Sequence, residues 1–169
     1  RSELNNLMQC FKFIKCPDIV VMAKETPHDF FITHPISWWI QDIPFPVIIE
    51  FDCTHEFNGQ GIVASIFPET HLKRWKHYRE LPNVNGFSIR TDRYGKTSIL
   101  GNPSEINLFA VHQATRNPEI EIDEILEKFI TEKYDSVAIE YLKPVFEKAP
   151  EIILSSYYTL GLNTTNHSK

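Results

Sequence analysis

The sequence predicts an α/β fold: a partial (β/α)8 barrel, built from the C-terminal βα units of such a barrel and followed by helices. Three observations predict it. The runs Ile19-Val20-Val21-Met22-Ala23 and Val47-Ile48-Ile49-Glu50-Phe51-Asp52 are continuously or nearly continuously apolar, the signature of strands covered on both faces of a parallel sheet. Stretches with apolar residues at helical spacing accompany them. Each strand closes on polar and charged residues, Lys24 with Asp29, Asp52 with Glu56, Asp92 with Arg93, and the C-terminal strand ends are where a barrel keeps its chemistry.

Taken in order, Leu4, Leu7, Met8, Phe11 and Ile14 recur at helical spacing until Cys16-Pro17-Asp18 breaks the pattern. The first strand covers 19–23, and the second, fenced by Pro44 and Pro46, covers 47–52. A short helix is predicted over 70–80, ahead of Leu81-Pro82, and a third strand over 86–90. Ser104 reads as the N-cap of a helix through Ala114, stopped by Asn117-Pro118. Asp123 reads as the cap of the next, whose stripe is Ile125, Leu126, Phe129 and Ile130. A last helical region runs from Ser136 to Tyr158, interrupted or kinked at Pro144, because proline removes a hydrogen bond of the helix. A complete barrel needs about 250 residues. Residues 1–135 are therefore expected to be the C-terminal part of a barrel and 136–169 the start of a following helical region.

The chain has 169 residues, a formal charge of -5, 42% hydrophobic and 12% aromatic residues. Disorder does not fit that aromatic content, and nucleic-acid binding does not fit the acidic balance. No apolar run reaches the roughly 18 residues of a membrane span, and the start at Arg1 has no signal-peptide pattern, so a soluble protein, cytoplasmic or periplasmic, is expected, beginning upstream of Arg1. Cys10, Cys16 and Cys53 lack metal-binding or disulfide spacing and read as buried free thiols. The sequons at Asn163 and Asn166 matter only in a glycosylating compartment.

Three segments could hold chemistry. In Lys24-Glu25-Thr26-Pro27-His28-Asp29-Phe30 a cation precedes a carboxylate in a strand-end loop, which suits gripping an anionic sugar beside a proton acceptor; the alternative is a solvated ion pair. In Glu50-Phe51-Asp52-Cys53-Thr54-His55-Glu56, alternation puts Glu50, Asp52 and Thr54 on one face, and acids at the end of an apolar strand are costly unless paired, solvated in a cleft or functional. Asp29, Asp52 and His55 would be the ligands in a metal-dependent alternative, although no metal or other cofactor is expected. Trp38 and Trp39 in Ser37-Trp38-Trp39-Ile40 offer flat faces to a sugar ring or, equally, ordinary packing.

Val21-Met22-Ala23-Lys24, then Asp29-Phe30, then Ile49-Glu50-Phe51-Asp52-Cys53-Thr54-His55-Glu56-Phe57-Asn58-Gly59-Gln60 resemble the α-glucuronidases of glycoside hydrolase family 67. Their patterns are close to V-K-N-G-P-x-D-F-Q and L-E-F-Q-I-T-Q-E-Y-x-G-Q. The similarity extends through Gly86-Phe87-Ser88, Asp92, Asn107-Leu108-Phe109, Asn117-Pro118 and Leu160-Gly161-Leu162. The resemblance implies removal of 4-O-methylglucuronic acid from xylan fragments with inversion. By position, Asp29 and Glu56 become the pair that activates water and Lys24 the contact to the uronate carboxylate, with the general acid expected upstream of Arg1. Glu25-Thr26 replaces Asn-Gly, Phe31 replaces a glutamine, and so do Asp52 and His55; these changes are expected to line the pocket and alter the sugar bound. The partner expected is a uronic-acid-containing glycan or oligosaccharide, with homo-oligomers formed at the open edge of the first strand. A non-catalytic carbohydrate-binding relative of the same fold is the alternative. Were these residues active by themselves, Glu25 would be the first suspect for the acid.

Overall fold

The computed structural model describes residues 2–27, 30–54, 64–91 and 99–158. In chain order these form helix α1 (Ser2–Phe11), strand β1 (Val21–Lys24), a 3-10 helix (Trp38–Asp42), strand β2 (Val47–Asp52), helix α2 (Pro68–Arg79), strand β3 (Val84–Arg90), helices α3 (Glu105–Arg116) and α4 (Ile122–Lys133), a 3-10 turn (Ser136–Ala138) and helix α5 (Ile139–Tyr157). The three strands make one parallel sheet in chain order, β1-β2-β3. Val21 pairs with Val47 and Lys24 with Glu50, while Ile49 pairs with Phe87 and Asp52 with Arg90.

This register sorts the side chains into two faces. Ala23, Val47, Ile49, Phe51 and Cys53 are buried, and Phe87 and Ile89 pack against the same core. The cover comes from α2 and the helices beyond it: the Phe51 ring lies 5.8 Å from His71 and 6.4 Å from Tyr78, and Trp75 lies 5.7 Å from Phe87. The opposite face bears Met22, Lys24, Ile48, Glu50, Ser88 and Arg90. Here the structure departs from the expectation of two covered faces, since Val20 and Met22 are 53% and 61% exposed. An apolar run records that both faces of a strand are apolar; it does not guarantee that described residues cover them.

The connections also differ from the regular pattern. Among the described residues, the crossover from β1 to β2 contains a 3-10 helix where a barrel unit would place an α-helix. It starts at the C-terminal end of β1, where Ser37 Oγ donates to Lys24 O at 3.4 Å. It reaches the start of β3, where Asn83 Nδ2 donates to Ile40 O and Ile43 O at 2.8 and 3.0 Å. Helix α2 begins two residues earlier than expected, with Pro68 in its first turn, where a missing N–H costs nothing. Ser104 does precede α3, but its hydroxyl accepts from Ser65 N at 2.8 Å instead of capping the helix. Glu121, not Asp123, occupies the N-cap of α4; Asp123 and Glu124 lie in its first turn, where carboxylates favour the helix dipole. α5 runs through Pro144 and Pro150 without interruption. Its Phe146 reaches the main core, 5.9 Å from Phe129 of α4, so residues on both sides of the 135/136 boundary share that core.

The two faces respond differently to truncation. Phe51→Ala, which empties a fully buried site ringed by His71, Tyr78 and Phe87, is expected to cost about 3–5 kcal/mol of unfolding free energy in urea. Met22→Ala on the open face should stay within about 0.5 kcal/mol of wild type.

Candidate functional site

The candidate site is built at the C-terminal ends of β1 and β2. Strand alternation sends Lys24 to the open face and Glu25, the next residue, to the helix face. Glu25 is 1% exposed and meets three elements at once. Asp52 N donates to its Oε1 at 3.2 Å, Arg74 of α2 donates to Oε2 at 3.0 Å, and His71 Nδ1 stands 3.6 Å from Oε2. Arg74 spends its other nitrogen on Ile32 O at 2.8 Å and His34 O at 2.9 Å, so the segment after β1 is held down by the same side chain. Tyr78, one helical turn further along α2, donates to Glu25 O and accepts from Ser37 N at 2.8 Å.

Burial by itself would raise the pKa of Glu25, but interaction with His71 and then with Arg74 outweighs it and holds the carboxyl below its ordinary value. An ionised, fully engaged carboxylate has no proton to give. Glu25 therefore does not suit the role of general acid, and the expectation that it would be the first suspect is corrected. Burial, with the charges of Glu25 and Asp52, also pushes the Cys53 thiol well up, which makes it a packed group and not a nucleophile. Cys10 and Cys16 are exposed, against the expectation that they are buried. Burial likewise raises Tyr78 to about 12, keeping its hydroxyl protonated as the donor to Glu25 O.

The departures from the family pattern divide in space. Glu25 and Thr26, 1% and 2% exposed, are packed into the protein. Phe31 is half-buried against a second apolar cluster of Ile32, Phe67, Ile153 and Tyr158, where α5 returns beneath the strand ends. Glu25 and Thr26 therefore belong to packing and do not line an open pocket, contrary to expectation. Asp52, 1% exposed, accepts from Thr54 N at 3.2 Å and from the Thr54 hydroxyl at 2.6 Å.

The exit of β2 has its own anchor. Asn107 of α3, fully buried, donates to Cys53 O at 3.0 Å and Ser65 O at 2.7 Å and accepts from Phe67 N at 2.7 Å. One amide thus ties the two sides of the loop after β2. In the sequence, the signal for this role is a lone asparagine on an apolar helix face.

Asp29, His55 and Glu56 lie outside the described residues. Lys24 stands at the end of β1 on the open face, its Nζ 4.6 Å from the Phe30 ring centroid. Trp39 packs against the main core, while Trp38 is 58% exposed. Missed by sequence reasoning was Arg90, which ends β3 on the same face as Lys24 and lies 4.9 Å from the same ring. Among the described residues no cluster of His, Cys, Asp or Glu has the arrangement of a metal site, and no helix is long and apolar enough to cross a membrane. The chain matches no protein-family model and no curated protein sequence.

The buried pair gives two expectations. Arg74→Met strands the Glu25 charge and should lower stability by about 3–5 kcal/mol in urea unfolding. Because the pKa of Glu25 is depressed, its contribution is present above the unfolded value near 4.5 and lost as pH falls through the lower folded value. The stability gap between wild type and Glu25→Gln should accordingly be full at neutral pH and close on acidification, as unfolding curves at a series of pH values would record.

Proposed function

We propose that these residues form an arc of a (β/α)8 barrel and part of the substrate site of an inverting glycoside hydrolase that removes glucuronic acid, or its 4-O-methyl ether, from plant xylan fragments. A parallel sheet whose strand order follows chain order supports the barrel reading, since successive barrel strands are neighbours. The observation that carries the functional reading is the β1–β2 register. Lys24 and Glu50 are paired at the C-terminal ends of adjacent parallel strands, and the segments containing Asp29 and Glu56 depart from those two ends.

In this reading the Lys24 ammonium holds the uronate carboxylate. Asp29 or Glu56 takes a proton from water, which attacks the anomeric carbon as the glycosidic bond breaks. An acid outside these residues protonates the leaving oxygen from the opposite side, at the roughly 6.5–9.5 Å separation that leaves room for the water. Two neighbouring carboxylates titrate as a unit, so the base is the pair and not one member. The second reading is a carbohydrate-binding relative without catalysis, which keeps the barrel and lacks that acid.

Steady-state kinetics of the complete protein on glucuronoxylan fragments separate the two. Asp29→Asn or Glu56→Gln is expected to lower kcat by about 10²-fold or more with the melting temperature kept. Lys24→Ala is expected to raise KM for a uronoside more than it lowers kcat, and to leave a neutral glycoside unaffected. If wild type binds the fragments and never cleaves them, the binding reading replaces the catalytic one.

A further inference from the structure

We draw no further inference here: the strongest candidate, the exposed apolar stripe of Tyr141, Val145 and Ile152 along helix α5, carries nothing because nothing in the structure shows what covers it.

Discussion

Glu25 follows the last residue of β1 and turns its carboxylate into the protein, where it receives the backbone N–H of Asp52 and the guanidinium of Arg74. Burying a charge is expensive, and an ion pair seldom stabilises more than well-packed apolar side chains of the same volume would. What apolar side chains could not do is satisfy the backbone around them. The Asp52 N–H and the carbonyls of Ile32 and His34 all find partners in this one pair, and buried backbone groups left without partners carry their own penalty. The pair is therefore best understood as a fixing device. It locks the end of β1 to the end of β2, to helix α2, and to the segment that crosses the strand ends.

Asn107 performs the matching task for the other loop. Its bonds to Cys53, Ser65 and Phe67 join the exit of β2 to the approach of α2, and Ser104 adds a further bond to Ser65. Both polar networks lie among the helices, and neither uses Lys24, Glu50, Ser88 or Arg90. The division matters physically. Residues that support a site must be immobile and fully satisfied, while those that meet a ligand must keep bonding capacity in reserve. Here the described anchoring bonds are built behind the sheet.

Much of the scaffold could be read from the sequence because its signals are local. The apolar runs at 19–23 and 47–52 announced parallel neighbours, which β1 and β2 are, and the stripe Ile125, Leu126, Phe129 and Ile130 announced α4. Helix caps were less legible, because a carboxylate one position inside a helix suits its dipole as well as one that caps it, as Asp123 shows. The role of Glu25 was half visible. Alternation from Ala23 already turns it away from Lys24, but the partner that explains its burial stands 49 positions away on another element. Arg90 was hidden for a related reason. Only the register of two strand pairings reveals that it shares a face with Lys24, and a single sequence does not specify register across a crossover.

That partition changes what the departures from the family pattern mean. Had Glu25 and Thr26 lined a pocket, they would argue for a different sugar. Glu25 and Thr26 are instead buried, and the loop after β1 is held by a charged anchor, the pair of Glu25 with Arg74. A turn built on glycine draws its shape from backbone freedom, whereas this one draws it from a salt bridge to a neighbouring helix. The polar residues on the other face, Lys24, Glu50, Ser88 and Arg90, are placed there by strand register and alternation and not by this anchor.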